Sequence, residues 1–474
     1  MLTSIRPRLT ILLGPLLGGL VYLQGWPDEI GARMAGIAVW MAVWWMTEVV
    51  HLGFTSLLPM LLLPILGIST SEKVAAAYMD PILFLFMGGF GLSFAIERWH
   101  LHRRLSSFLL SKIPTTPSWI LGGIMLITYM LSNWMSNTAT CLMMLAVVMG
   151  IIKTLGEPPK FSAALLLGLA YSASIGGMAT PVGTPPNLIF FKVMSESYPQ
   201  ANQPDFFEWS MIGFPLSFTL LLICFFLLKF FFFSEKETFL VNRSHFKEDL
   251  QAMGKMSVEE KWVGGVFLFT AIAWFTRNPI QMGSMEWFGW SKLFPKGVKV
   301  DDSAPALLGI FLLMIIPSRE NRKLLSWEEM KKIPLDVLLI FGGGFALAMG
   351  FETSGLSKSM ASSLAFLSDW PLPIMVIGVV AMVTLISEFA SNVASIQLVA
   401  PILVALQMQL GLSATSLLLP ATLAASIGFA LPVATAANTI AFGTGKIPIK
   451  KMIWIGLCLD LAGIILISLF QFWL

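Results

Sequence analysis

The chain has 474 residues, of which 56% are hydrophobic and only 12% charged, with a mean hydropathy of +0.79. A soluble domain is typically about 25% charged, so no soluble core could hide this much apolar surface. The net charge of +3 is too small to suggest a nucleic-acid partner, and the composition describes an integral membrane protein.

Apolar stretches long enough to cross a ~30 Å bilayer core recur along the chain. Alternating ~10-residue segments, the mark of a membrane β-barrel, do not. The fold class is therefore an all-α integral membrane protein. The start, MLTSIRPRLTILLGPLLGGL, joins a basic segment to an apolar run without a small-residue cleavage site, and reads as a retained first helix. Spans are expected at 9–26, 34–50, 53–67, 81–99, 161–190, 207–233, 262–276, 303–317, 335–356, 416–445 and 451–474, about eleven in all. The aromatic FFLLKFFFF at 225–233 reads as a lipid-facing helix end.

Two further apolar stretches, 117–152 and 371–410, carry polar motifs near their centres: LSNWMSNTATC (131–141) and ISEFASNVASI (386–396). Their length suits two half-helices joined by a turn, entering and leaving on one side. Non-helical backbone at that depth survives only when buried in protein or lining a wet cavity. Each stretch is thus expected to be a re-entrant hairpin with its SN motif at the tip; two ordinary helices joined by a polar loop are the plainer alternative. With the N-terminus in the cytoplasm, 22 of the 30 Lys and Arg fall inside, and Arg33, Lys73, Lys192, Arg277, Lys292, Lys296, Lys299 and Lys358 fall outside. This bias selects that orientation.

The chain repeats itself. FMGGFGLSFAIE (86–97) matches FGGGFALAMGFE (341–352), and SNWMSNTAT (132–140) matches SEFASNVAS (387–395), both at an offset of 255; PVGTPPN (181–187) matches PVATAAN (432–438) at 251. The map places an odd number of crossings between the two glycine-rich helices, so the repeats have inverted topology. That is a signature of secondary transporters, with the site at the repeat interface. The expected organisation is an N-terminal segment and first helix (1–33), a first repeat (34–233, hairpin 117–152, broken helix 161–190), a cytoplasmic linker (234–261) and a second repeat (262–474, hairpin 371–410, broken helix 416–445).

The repeated residues suit ion binding. Ser132 and Ser136 are four apart, as are Ser387 and Ser391, and each pair is followed by Asn137 or Asn392. Hydroxyl and amide oxygens with freed backbone carbonyls coordinate Na⁺ without adding fixed charge. Pro181, Pro185, Pro186 and Gly183 interrupt one helix, as Gly428 and Pro432 do the other. Broken helices offer amides to anions and carbonyls to cations. Close packing of small residues is the bland reading; the duplication disfavours it. No Lys or Arg lies within either motif or break, Lys192 and Lys446 being the nearest in sequence, so an anion would be neutralised by cations and helix ends. Among acids near membrane depth, Glu97 and Glu352 occupy equivalent span ends and read as structural; Glu388 would shape the second hairpin or, alternatively, couple protons. Cys141, Cys224 and Cys458 are scattered and the four histidines form no ligand set, so neither a metal centre nor an enzyme is expected.

At these residues, roughly from 34 to 474, the chain resembles the divalent-anion:sodium symporter family; the resemblance rests on SNTAT, SNVAS, GTPPN and LPVATAANTIAFGTG. It implies an elevator-type transporter, a homodimer in a bacterial inner membrane, with two or more Na⁺ per protomer as coupling ions. It implies one Na⁺ site at Ser132, Ser136, Asn137 and the Gly183 carbonyl, and another at Ser387, Ser391, Asn392 and the Ala434 carbonyl. Substrate carboxylates would meet Asn137, Thr138, Thr184, Ser391, Asn392 and Thr435. The expected activity is Na⁺-coupled uptake of C4-dicarboxylates such as succinate, malate or fumarate, with sulfate or tricarboxylate symport, or dicarboxylate exchange, as alternatives. Two departures from the family pattern stand out: Val393 where Thr138 has a hydroxyl, and Ala436 and Ala437 where Pro185 and Pro186 stand in the first half.

Overall fold

A computed structural model describes residues 7–471 except 115, 202–203, 233–249, 283–284, 296–297, 299 and 320–321. The described residues are predominantly helical, with one short antiparallel hairpin, β1 (Ile280–Met282) and β2 (Met285–Trp287). The helices used below are α1 (Pro7–Leu23), α2 (Glu29–Thr47), α3 (Pro81–Arg98), α4 (Leu101–Lys112), α5 (Pro117–Ser132), α6 (Asn137–Thr154), α7 (Pro159–Gly177), α8 (Pro185–Ser197), α9 (Phe206–Phe232), α10 (Val258–Phe275), α11 (Ser303–Ile315), α12 (Leu335–Thr353), α13 (Leu356–Ser363), α14 (Leu372–Phe389), α15 (Asn392–Leu410), α16 (Leu418–Ala424), α17 (Ala436–Phe442) and α18 (Ile449–Phe470). Helices α3 to α9 recur in the same order as α12 to α18.

Eight helical segments among the described residues are long and apolar enough to cross a membrane; five fall on the eleven expected spans, and three, α6, α14 and α15, are arms of the two polar-centred stretches. Of the other expected spans, α1 and α11 are shorter helices, and three are interrupted. The span expected at 53–67 is two short helices, Leu52–Thr55 and Leu58–Ile65. Both polar-centred stretches break at their motifs: α5 and α6 flank 133–136, and α14 and α15 flank 390–391. The helices expected at 161–190 and 416–445 are broken too, between α7 and α8 and between α16 and α17. Prolines set the starts of α3, α5, α7 and α8, where a missing N–H costs nothing.

The expected linker lies mostly outside the described residues. Its end enters α10, which starts four residues earlier than expected, on a Ser257–Glu260 capping box. Arg104 Nε of α4 bonds Glu260 Oε1 at 2.7 Å and ties the two halves there.

The glycine-rich helices are close-packing faces. On α3, a Cβ at Gly88 would lie 2.2 Å from Ala306 Cβ, and one at Gly91 would lie 2.8 Å from Ile310, both on α11. On α12, a Cβ at Gly343 would lie 2.3 Å from the Ser56 carbonyl oxygen, and one at Gly344 would meet the Gln397 amide of α15. Gln397 Nε2 in turn donates to the Ile340 carbonyl at 3.0 Å. The glycine faces thus seat α3 and α12 each against a neighbour, and α12 directly against the second SN-bearing helix.

Gly343→Ala should cost about 1–3 kcal/mol by overpacking against backbone that cannot move, read as a lower thermal midpoint in detergent. Gly378→Ala on α14, where an added Cβ meets nothing within 4 Å, should cost nothing or stabilise. Equal effects of the two substitutions would contradict this packing.

Candidate functional site

The two SN motifs fold alike. The hydroxyl of Ser132, the last residue of α5, lies 2.8 Å from Asn137 Oδ1 and 2.6 Å from the Ala173 carbonyl oxygen of α7, which share its single proton. Ser387 repeats this on Asn392 Oδ1 at 3.0 Å and the Ala425 carbonyl at 2.7 Å. Ser136 and Ser391 are the N-caps of α6 and α15, each accepting from the amide three residues on, at 3.2 Å. Each tip is therefore fixed to the neighbouring broken helix by a hydroxyl that binds a backbone carbonyl and an asparagine at once.

The breaks are held by asparagines that the sequence did not single out. Asn187 Nδ2 donates across the first break to the Gly177 carbonyl at 3.0 Å and the Thr180 carbonyl at 2.8 Å. Asn438 Nδ2 does the same across the second, to Gly428 at 3.1 Å and Leu431 at 3.0 Å. These bonds occupy carbonyls released where the helices end. Their signal was present in the repeated final Asn of PVGTPPN and PVATAAN.

Gly177 makes room for the first candidate cation site. A Cβ there would lie 2.6 Å from Asn137 Oδ1 and 3.1 Å from the Gly183 carbonyl oxygen. Two uncharged oxygens thus converge over a position that only glycine leaves open, with the Ser132 hydroxyl behind Asn137. In the second repeat, Gly428 lies beside the Ser387 carbonyl and Ala434.

Both tips and both breaks line one cavity of about 620 Å³, within the range of small-molecule sites. Ser136, Asn137, Thr138, Gly183, Thr184, Ser391, Asn392, Ala434 and Thr435 all reach it. Ser132 and Ser387 do not; they are fully buried behind the tips. Four helices begin at this cavity, since their N-cap residues Ser136, Thr184, Ser391 and Thr435 line it. The free amides of α6, α15 and α17, with the end dipole of α8, give it a positive potential without a basic side chain in its depth. The repeats interlock there: α17 packs on α6 and α7, and α8 on α15 and α16. Cys141 of α6 reaches the Ala437 carbonyl at 3.6 Å.

Three departures from expectation emerge. Val393 does not line the cavity, whereas Thr138 does, so the lost hydroxyl changes a neighbouring surface. Ala436 and Ala437 do line it, and the alanines have a second effect. Two prolines open α8 and remove two amides that would need a partner, and Thr184 makes no side-chain cap bond. In α17 those two amides exist, and Thr435 Oγ1 caps the third, Asn438 N, at 3.1 Å. Finally, the basic residue at the cavity is Lys332, exposed on its wall with Glu97 and Asp336, whereas the residues nearest in sequence are engaged elsewhere. Lys192 pairs with Asp80 and Glu196, and Lys446 with Glu157 at 2.7 Å. Phe86, Phe90 and Trp134 form apolar walls.

A protein-family model described as citrate transporter matches residues 42–416. The sodium-dependent dicarboxylate transporter SdcS of Staphylococcus saprophyticus is 34% identical over 98% of this chain and 90% of its own length. That of Staphylococcus aureus is 34% identical over 97% of this chain and 89% of its own. Among solved structures, Neisseria gonorrhoeae MtrF superposes with a TM-score of 0.60 at 15% identity, covering 85% of this chain and 83% of that one. The Alcanivorax borkumensis YdaH transporter superposes with a TM-score of 0.55 at 12% identity, covering 85% and 87%. Both structural likenesses concern the fold.

Asn187→Ala and Asn438→Ala should each lower stability by about 1–3 kcal/mol, because each strands two buried carbonyls. Thermal unfolding in detergent measures this; midpoints unchanged from the native chain would show that the breaks do not need these bridges.

Proposed function

Because the chain belongs to the citrate-transporter family, we propose that it is a secondary transporter coupling the uptake of C4-dicarboxylates, such as succinate, malate or fumarate, to Na⁺. The observation that carries this reading is the meeting of both SN tips and both helix breaks at one cavity whose depth is lined by neutral oxygens and helix N-termini. Such a surface suits a dianion held together with monovalent cations. The Na⁺ sites are assigned to Ser132, Ser136, Asn137 and the Gly183 carbonyl, and to Ser387, Ser391, Asn392 and the Ala434 carbonyl. Carboxylate contacts are assigned to Asn137, Thr138, Thr184, Ser391, Asn392 and Thr435.

Charge explains the coupling. Bringing a dianion into an inside-negative cell at 100 mV costs roughly 4.6 kcal/mol. Two cations cancel that charge, and a third makes the cycle electrogenic. With Lys192 and Lys446 already paired, cations supply the compensation that a basic residue would otherwise give.

The repeats are read as inverted, with 117–152 and 371–410 as re-entrant hairpins, in a homodimer of the bacterial inner membrane with a cytoplasmic N-terminus. An elevator-type movement of the tips and breaks fits the placement of two cavities. The larger is bordered by Glu97, Lys332 and Asp336, from segments that the charge map puts inside. A second, of about 310 Å³, is bordered by Asp80, Lys192, Arg277 and Asp301, from segments put outside. Pro181 faces the second, while Val182 and Gly183 face the first, so the broken helix lies between them. A tricarboxylate such as citrate is the second reading, favoured by the cavity volume and by Lys332 at its wall.

Uptake of labelled succinate into proteoliposomes should require an inward Na⁺ gradient and be competed by malate; stronger competition by citrate or sulfate would reassign the cargo. Uptake indifferent to Na⁺ would remove the symport reading. Asn137→Ala and Asn392→Ala should each reduce uptake by at least about tenfold in protein that stays monodisperse. Near-normal uptake by either variant would dismiss the site assigned to it.

A further inference from the structure

The repeats differ at one buried place. Gly213 of α9 and Gly456 of α18 press in the same way on the first and second breaks: a Cβ at Gly213 would meet the Met178 and Ala179 carbonyls, and one at Gly456 would meet Phe429 and Ala430. Four residues after Gly213 stands Ser217, whose hydroxyl bonds Tyr129 of α5 at 2.9 Å. Four residues after Gly456 stands Asp460, and the α14 counterpart of Tyr129 is Thr384. One turn further on, neutral Asn133 of the first repeat is replaced by Glu388. A neutral, satisfied arrangement in one repeat has become two carboxyls and a hydroxyl in the other.

The second break is built on those carboxyls. Three successive amides point at them: Phe429 N donates to Asp460 Oδ1 at 3.1 Å, Ala430 N to Glu388 Oε1 at 2.9 Å and Leu431 N to Glu388 Oε2 at 2.8 Å. Glu388 is thereby satisfied at both oxygens. Asp460 is not: Oδ2 is reached by no amide or hydroxyl donor and has only the Glu388 carboxyl beside it, in a side chain only 4% exposed. Thr384 Oγ1, on the same face of α14 as Glu388, is also buried without a partner. Among the described residues no Lys, Arg or His pairs with either carboxylate; the neighbouring Tyr171 donates its hydroxyl to the Met452 carbonyl at 3.4 Å. A buried carboxylate oxygen with no donor is costly unless the carboxyl takes up a proton or a cation supplies the missing charge.

We propose that Asp460, Glu388 and Thr384 form a third cation site, present only in the second repeat and occupied by Na⁺. The inference rests on the sodium-coupled reading above and extends it. Repeat symmetry supplies two sites and no more; an additional ion must come from a place where the symmetry fails, and here it fails by two acids. The oxygens are the free Oδ2 of Asp460, the outer face of Glu388 and the Thr384 hydroxyl. The ion would sit behind the second break, so its binding fixes the amides of Phe429 to Leu431 and, through them, the turn that carries Ala434 and Thr435.

The test is equilibrium binding of radioactive Na⁺ to the purified full-length protein, with thermal midpoints measured in parallel. Asp460→Asn and Thr384→Val should each bind one ion fewer than the native chain. Asn137→Ala should lose a different ion, so that Asn137→Ala combined with Asp460→Asn loses two. Should Asp460→Asn unfold, Thr384→Val, which keeps the side-chain volume, carries the comparison. Unchanged Na⁺ stoichiometry in folded Asp460→Asn or Thr384→Val, while Asn137→Ala loses its ion, would overturn the third site and leave the transport reading intact. Unchanged stoichiometry together with a lost pH dependence in Asp460→Asn would make the occupant a proton, and would also overturn it. No Na⁺ binding by the native chain would remove the sodium-coupled reading itself.

Discussion

A helix interrupted inside a membrane protein leaves carbonyls at one end and amides at the other with no partner in the same helix, and lipid offers none. Everything at the centre of this structure answers that constraint. Asn187 and Asn438 take the stranded carbonyls of their own breaks. Ser132 and Ser387 take those of Ala173 and Ala425 and tie in the SN tips. The amides opening α6, α15 and α17 are left toward the shared cavity, where they can meet an anion, whereas α8 opens there on two prolines. The same breaks that would destabilise a simple bundle thus create a surface that presents both uncharged oxygens and helix amides.

Neutral donors make release as feasible as capture. A buried lysine would hold a dicarboxylate by a strong charge pair, and breaking that pair on each cycle would leave an uncompensated charge in a dry site. Oxygens and amides polarise the cavity without that penalty. The basic residues near the breaks are instead spent on ion pairs: Lys192 with Asp80 and Glu196, and Lys446 with Glu157. Lys332 sits on the cavity wall, exposed, where its charge can attract an anion without being buried with it.

Duplication gives the site its symmetry, and small substitutions give the halves different tasks. Prolines relieve the first break of two amides, while in the second the Thr435 hydroxyl does the capping. Neutral Asn133 has its counterpart in Glu388, which holds two amides of the second break directly. The glycine faces show the same pattern at the level of packing. Each repeat uses a glycine-rich helix to approach a neighbour, yet α3 meets α11, and α12 meets the short helix end at Ser56 and the Gln397 amide.

The primary structure by itself determined the membrane class, the family, the repeated motifs and the positions at which helices stop, because apolar length, proline and glycine act locally and leave a periodic trace. It did not carry the number of long helices, since interruptions at 55–58 and within the repeats shorten segments whose hydropathy looks continuous. Only the tertiary structure decided that the tip of each repeat packs against the broken helix of the other. That pairing places Asn137 and Asn392 on one cavity, brings Lys332 to its wall from a distant loop, and sets Asp460 against Glu388. Such contacts join residues far apart in the chain, and their energy depends on shape and burial in three dimensions, which leave no spacing to read along one.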